Sequence, residues 1–391
     1  MLNSNPASDN FKKPGTFKGI QALRGIAAVM VVVHHSTLFW SRVTFALART
    51  AGPQVLWSGA AGVDIFFVIS GFVMAVTTAR ISGERHPAYD FLQRRFFRIM
   101  PLYWFVTGLF LLEFWAVSVF PQLKTAAESY PQISLGLITR SLLLVPGDSP
   151  LIVGVAWSLS FEIFFYLLFA LALACRVSAT RLLTPLMLGL VLIGYFHSKS
   201  SPVFAMTTGP MLLEFLAGVI IGSMVVHKVR LSVPIAAVLG AIGTAVICIP
   251  YRNLFGFRIV SDTSGLRVLL WGLPAALIVF CVVALEDRFG TIWPKWMLLI
   301  GDASYSLYLI HILVVCFVIR ALEYQRVLLP GIVQAQDEIV TVLCCLVASI
   351  VAAIVLYKTV EQKLIGRRRK KPFRIGQPLA KQFDGKGELA G

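Results

Sequence analysis

Charged residues are scarce in this chain of 391 residues. Asp, Glu, Lys and Arg make up 14% of it, whereas soluble globular domains carry about 25%. Hydrophobic residues make up 57%. Together these values exclude an ordinary water-soluble enzyme and an intrinsically disordered chain. The composition therefore predicts a polytopic membrane protein.

Cysteines are also few, and the six present form no framework. They lie in or beside apolar runs, without a Cys-x-x-Cys motif or a Cys/His pair at metal-ligand spacing. We interpret them as small packing residues, and we predict no metal site and no permanently bound cofactor. The sequence also predicts no secretory signal peptide, because residues 1–20 are polar and lead directly into a long apolar run.

Long apolar runs, by contrast, are frequent. A hydrocarbon core about 30 Å thick requires about 20 residues of helix to cross it. We therefore predict an all-α fold with about ten transmembrane helices. Their ranges are 21–40, 57–78, 101–120, 152–174, 182–197, 207–226, 233–250, 267–286, 298–319 and 338–359. The domain organisation that follows is an N-terminal tail (1–20), a membrane domain (21–360) and a basic C-terminal tail (361–391).

Lysine and arginine are distributed unevenly between the two sides of these spans. If the N-terminus is cytoplasmic, most of the 35 Lys and Arg residues fall in cytoplasmic connections and in the C-terminal tail, as the positive-inside rule requires. An even number of spans then makes both termini cytoplasmic. We interpret the formal net charge of +16 as attraction to the lipid bilayer, and we predict no nucleic-acid partner.

Five of the apolar runs carry an ionisable side chain at a similar depth. Counted at about 1.5 Å of rise per residue, they form one slab slightly outward of the membrane centre. They are His35, Asp64, Glu162, Glu214 and His311. Ionisable groups are costly in a bilayer, so they normally face the protein interior and indicate a functional site. Helical spacing also places Arg24 on the face of His35, and Tyr308 on the face of His311.

A second polar group is predicted at the cytoplasmic side. In the run DFLQRRFFRIMPLYW, Arg94, Arg95 and Arg98 fall within an arc of about 100° if the segment is helical. Arg24, at the inner end of the first span, lies alongside. These arginines could contact lipid headgroups. They could instead bind a phosphorylated cytosolic ligand, because guanidinium groups pair with phosphate through two hydrogen bonds.

Several runs, in this order, resemble the acyltransferase-3 family of integral membrane proteins. They are the Arg24-x10-His35 spacing, GVDIFFVISGF, RRFFRIMPLYW, AWSLSFEIFFYLLF and GDASYSLYLIHILV. The runs GAAGVDIFFVISGFVM and AWSLSFEIFFYLLFAL are most similar to the branch that O-acetylates exopolysaccharide sugars. The resemblance covers roughly residues 18–365.

This resemblance implies a multi-pass enzyme of the bacterial inner membrane. It would transfer an acyl group, usually acetyl, from cytosolic acyl-CoA to a sugar hydroxyl of a surface or exported polysaccharide or its lipid-linked precursor. Acetyl-CoA would be a co-substrate, and the glycan the second partner. The family's essential histidine corresponds to His35, its partner arginine to Arg24, and its Arg-x-x-Arg pair to Arg95 and Arg98.

The residues themselves fit roles in this chemistry. The arginines would bind the phosphates of the donor. His35 would act as a general base or accept the acyl group covalently, and the sequence does not separate the two. We expect Asp64 to orient the His35 ring, because its depth matches best. The acceptor, or the surroundings of the reacting groups, would involve Trp157, Glu162, Glu214, Tyr308 and His311.

A different class of protein would also use buried histidines and carboxylates. A proton-coupled transporter or glycan flippase could employ them as a proton relay. Such transporters often consist of two related halves with broken helices, and no such symmetry is evident in this sequence. Consumption of a thioester donor would distinguish the enzyme from the transporter.

Overall fold

The computed structural model describes ten stretches of the chain. They are residues 17–48, 55–78, 86–124, 131–197, 201–229, 232–249, 251, 265–289, 292–328 and 338–366. Within these stretches the secondary structure is helical, without a β-strand. Nine helices there are long and apolar enough to cross a membrane. The all-α, polytopic prediction is therefore confirmed.

Each of the ten predicted spans contains a helix. In chain order the longer helices are α1 (Lys18–Ala48), α2 (Ala61–Thr78), α3 (Pro87–Val119), α4 (Leu135–Leu142), α5 (Trp157–Ala174), α6 (Ala179–Phe196), α7 (Pro202–Thr207), α8 (Leu212–Val226), α9 (Val233–Cys248), α10 (Leu273–Phe289), α11 (Lys295–Asp302), α12 (Ser304–Leu328), α13 (Glu338–Leu356) and α14 (Gln362–Gly366). The seventh predicted span corresponds to α9, whose 16 residues are short for a full crossing.

The third helix begins much earlier than its predicted span. Pro87 occupies the first turn of α3, where the missing N–H costs nothing, and the helix continues through Pro101 to Val119. Its 33 residues amount to about 50 Å of rise, which exceeds the hydrocarbon thickness. The arginine run therefore belongs to the same helix as the span that follows it, and its side chains have fixed directions.

Two helices are packed closely at the centre of the bundle. A Cβ atom on Gly71 of α2 would collide with the backbone of Phe215 of α8, and one on Gly218 of α8 would collide with the backbone of Val68. Small residues at such contacts let membrane helices approach closely. Phe67 then stacks on Phe215 with ring centroids 4.4 Å apart. Of these two helices, α2 also lines the cavity described below.

The first helix packs against both α2 and α11. Gly62 of α2 lies against the backbone of Ala27 on α1, and Gly301 of α11 lies against the backbone of Gln21. We call the end of the bundle where α1 begins the inner end, and the opposite end the outer end. The cytoplasmic location of the inner end and of both termini stays a prediction. Most of the two predicted tails lies outside the described residues.

Candidate active site

A cavity of about 760 Å³, counting its open mouth, lies between α1, α2, α3, α5 and α12. Three guanidinium groups line its inner part. Hydroxyl and carboxyl groups of α2 and α5 line its middle, and aromatic rings line its outer part. The lining residues used below are Arg24, Arg95, Arg98, Ser70, Glu162, Tyr166, Ser304, Ser158 and Tyr308. The cavity thus brings together five of the predicted site residues.

The arginine run divides into two groups once α3 is helical. Arg95 and Arg98 line the cavity, whereas Arg94 is exposed. Arg95 donates a hydrogen bond from Nη2 to Thr77 Oγ1 at 3.3 Å, and its guanidinium carbon lies 5.7 Å from the ring centroid of Tyr166. Among the described residues, no carboxylate forms an ion pair with either of these cavity arginines or with Arg24.

The two predicted histidines lie side by side. His35 Nδ1 and His311 Nε2 are 3.3 Å apart, and the ring centroids are 5.0 Å apart. Each Nδ1 also faces a carbonyl oxygen of its own helix: Val31 at 2.9 Å for His35 and Leu307 at 3.1 Å for His311. The similar depths predicted for the two residues therefore correspond to direct contact.

We assign the ring hydrogens of the two histidines from these contacts. A carbonyl oxygen only accepts, so Nδ1 of each neutral ring carries the hydrogen. His35 then shares its Nδ1 hydrogen between Val31 and His311 Nε2. Its other nitrogen, Nε2, is left unprotonated and makes no hydrogen bond with a described residue. An unprotonated imidazole nitrogen can act as a base or a nucleophile.

Tyr308 separates this histidine pair from the cavity. Its hydroxyl is 2.7 Å from Ser158 Oγ and donates to the carbonyl oxygen of Val155 at 2.8 Å. Its ring lines the cavity, and its centroid is 6.0 Å from that of His311. His35 and His311 do not belong to the cavity lining. The ring of Tyr308 therefore forms the outer wall of the cavity.

The structure corrects the role expected for Asp64. Its two carboxylate oxygens accept hydrogen bonds from Arg267, from Nε at 3.0 Å and from Nη2 at 2.8 Å, and neither bonds to His35. Both side chains are almost completely buried. The predicted depth of Asp64 did not specify which face of α2 carries it, and its side chain points away from the face of α2 that packs against α1 through Gly62.

Glu214 and Trp157 belong to the same cluster around Arg267. Glu214 is 1% exposed and lies beside Asp64 and Arg267. The guanidinium carbon of Arg267 is 5.8 Å from the ring centroid of Trp157. Neither residue lines the cavity. The five residues of the slab therefore lie in three places: His35 and His311 form a pair next to the cavity, Glu162 lines the cavity, and Asp64 and Glu214 belong to a buried ionic cluster.

Comparison with known proteins identifies the family. A sequence model described as an acyltransferase domain matches residues 17–358. The chain belongs to the acyltransferase-3 family. It is a membrane-embedded acyltransferase, as the sequence resemblance implied. No solved structure matches it.

Two curated relatives of this acyltransferase cover most of its length. The exopolysaccharide production protein ExoZ of Rhizobium meliloti (strain 1021) is 32% identical over 329 residues, which are 81% of this chain and 93% of the relative. The putative membrane-bound transacylase BcsY of Komagataeibacter xylinus is 27% identical over 317 residues, which are 75% of this chain and 72% of the relative.

Proposed function

We propose that this acyltransferase transfers an acetyl group from cytosolic acetyl-CoA to a sugar hydroxyl. The acceptor is a surface or exported polysaccharide, or its lipid-linked precursor, at the bacterial inner membrane. The observation that carries the proposal is the cavity itself, which begins at three arginines and ends at Tyr308, next to the His35–His311 pair.

The dimensions of the cavity support a CoA thioester as the donor. Its phosphates would bind Arg24, Arg95 and Arg98, because guanidinium groups without a protein counter-ion attract phosphate strongly. Arg24 and His35 are eleven residues apart on one helix, which is about 16 Å of rise. A long, thin pantetheine arm can bridge this distance and carry the thioester to the outer end of the cavity.

In a direct transfer, the unprotonated Nε2 of His35 acts as the general base. Nε2 takes the proton of the sugar hydroxyl while the hydroxyl oxygen attacks the carbonyl carbon of the thioester. The tetrahedral intermediate then collapses, its C–S bond breaks, and the CoA thiolate takes the proton back from the imidazolium. His311 Nε2, which faces His35 Nδ1, stabilises the positive charge that His35 carries in between. The ring of Tyr308 must move for the thioester to reach this pair.

The relatives support a polysaccharide acceptor. ExoZ is named for exopolysaccharide production, and BcsY is named as a putative transacylase. Acceptance of the acyl group by His35 itself, followed by transfer to the sugar, uses the same free nitrogen. A hydroxylamine-sensitive radiolabel on His35 after incubation without acceptor would show that covalent route instead of the direct one.

The central test uses the purified protein in nanodiscs with radiolabelled acetyl-CoA and the glycan of its host. We expect transfer of label to the glycan by the wild type and its loss in His35→Ala. His197→Ala is the matched control, because His197 makes the same Nδ1 contact to a carbonyl four residues earlier, at 3.1 Å, but on the exposed surface. Movement of glycan without consumption of the thioester would identify a transporter and refute the proposal.

A further inference from the structure

The middle of the cavity contains a carboxylate that is only half engaged. Glu162 Oε1 accepts a hydrogen bond from Ser70 Oγ at 3.1 Å and another from the hydroxyl of Tyr166. Oε2 accepts none from a described residue, and Glu162 is partly exposed where it lines the cavity. The two hydroxyls hold the carboxylate in place, so one oxygen remains available to a ligand.

A second polar group lines the same cavity without a partner. Ser304 is fully buried, and its Oγ makes no hydrogen bond with a described residue. It lies at the start of α12, one helical turn before Tyr308. A buried hydroxyl without a partner costs about 1–3 kcal/mol, a cost that a ligand with a hydrogen-bonding group would remove.

The positions of these groups indicate which part of a ligand they contact. Glu162 and Ser304 lie on the cavity side of Tyr308, together with the arginines and away from the histidine pair. The sequence predicted that Glu162 serves the acceptor or surrounds the reacting groups; its place in the cavity favours contact with the donor. A donor whose phosphates bind the arginines, and whose thioester reaches Tyr308, places its connecting arm beside these two side chains.

We infer that Glu162 and Ser304 form a subsite for the amide-bearing arm of the thioester donor, with Ser70 and Tyr166 as positioning residues. The arm carries amide N–H groups and a hydroxyl, which donate to Glu162 Oε2, and amide carbonyls, which accept from Ser304 Oγ. The inference rests on the proposed function, because it requires a CoA thioester in the cavity.

Another role for Glu162 would be purely electrostatic. Its carboxylate is near enough to Arg24 and Arg95 to stabilise their positive charges. In that case its removal would alter phosphate binding and leave the arm unaffected. The two roles therefore predict different effects of a Glu162 substitution on KM for different donors. A series of shortened donors can measure this difference.

The experiment measures KM and kcat in nanodiscs with acetyl-CoA, with S-acetylpantetheine, which has the arm but no phosphates, and with S-acetylthioethanol, which has neither. We expect Glu162→Gln to raise KM on the order of tenfold for both arm-containing donors, because hydrogen bonds to charged groups are the stronger ones. S-acetylthioethanol should be unaffected. The double variant Arg95→Ala/Arg98→Ala should raise KM for acetyl-CoA but not for the two donors without phosphates.

Ser304→Ala, a small change that leaves the packing nearly intact, should raise KM about threefold for the two arm-containing donors. It tests the subsite even if Glu162→Gln fails to fold. Glu113→Gln is the control for loss of a carboxylate, since Glu113 pairs with Arg320 away from the cavity.

Three outcomes would overturn the inference. A rise in KM for acetyl-CoA without one for S-acetylpantetheine would make Glu162 a counter-ion of the arginines. If Glu162→Gln lowered kcat equally with all three donors, Glu162 would act in the chemical step. Failure of the wild type to use acetyl-CoA at all would refute the proposed function together with the subsite, and this result is distinguishable from the other two.

Discussion

The buried pair of Asp64 and Arg267 offers the sharpest test of whether a charged group supports the fold or takes part in catalysis. Two hydrogen bonds, of 3.0 and 2.8 Å, join them, and their side chains are 0% and 2% exposed. Arg267→Met removes the cation and leaves two buried carboxyl groups, Asp64 and Glu214, beside each other. Breaking a buried pair in this way costs about 3–5 kcal/mol.

The complementary change should cost less. In Asp64→Asn the guanidinium group of Arg267 keeps Glu214 as a neighbouring carboxylate, so we expect a loss of about 1–3 kcal/mol. The double variant should be more stable than Arg267→Met alone, because it leaves no uncompensated pair of carboxylates. Equilibrium unfolding in mixed micelles measures all three free energies and their coupling.

Activity then separates stability from catalysis. If Asp64 supports the fold and does not orient His35, the folded fraction of Asp64→Asn should keep kcat and KM within about threefold of the wild type, a change of well under 1 kcal/mol. A loss of kcat on the order of a hundredfold in correctly folded Asp64→Asn would refute the reasoning, as would an Arg267→Met variant as stable as the wild type.

Further predictions concern the histidine pair, the cavity wall, the arginines and the packing. His311→Phe should lower kcat on the order of a hundredfold with little change in KM for acetyl-CoA, because it removes the partner of protonated His35; a change confined to KM would contradict this. Tyr308→Phe removes the hydroxyl bound to Ser158 and Val155 and should increase acetyl-CoA hydrolysis without acceptor severalfold, measured as thiol release; unchanged release would show that the wall does not depend on the hydroxyl. Arg95→Lys should raise KM for acetyl-CoA almost as much as Arg95→Ala, because an ammonium group lacks the two-pronged donor geometry. Full activity of Arg95→Lys would show that Arg95 contacts lipid headgroups and not the donor. Gly218→Leu should prevent assembly because its side chain would enter the backbone of α2, whereas Gly108→Ala, with open space around it, should leave yield and thermal stability unchanged.

The sequence predicted the spans well because length and hydropathy are properties of each segment alone. It placed the start of the third span at 101, whereas the helix begins at Pro87, because charged residues were assigned to a connection. Arginine is a good helix former. The helix can therefore continue through the arginine run, although these charged residues lie outside the hydrocarbon core. The arginine run was expected to share one face, but only Arg95 and Arg98 line the cavity, whereas Arg94 is exposed.

Depth along a helix could be predicted, but the direction of a side chain relative to other helices could not. His35 and His311 share a depth and are in contact. Asp64 has a similar predicted depth but pairs with Arg267, which the sequence placed at the end of a span. Arg267 immediately precedes a π-helical turn, Val268–Gly272. Such turns rotate the helix relative to regular α geometry, so the face of Arg267 could not be counted from regular spacing.

The carboxylates near the cavity do not pair directly with its arginines, which leaves the arginines able to bind an anion. Three carboxylates, Glu162, Glu361 and Asp302, lie near Arg24, yet each accepts hydrogen bonds from uncharged groups instead. Glu162 is bound to Ser70 and Tyr166, Glu361 to Ser306 at 2.5 Å, and Asp302 to the Gln21 amide at 2.6 Å. The pair that does form a buried salt bridge, Asp64 with Arg267, lies elsewhere. Arginines that keep no direct counter-ion retain most of their attraction for phosphate. Replacing Ser306 by alanine would release Glu361 toward Arg24 and Arg98, and should therefore weaken acetyl-CoA binding although Ser306 does not line the cavity.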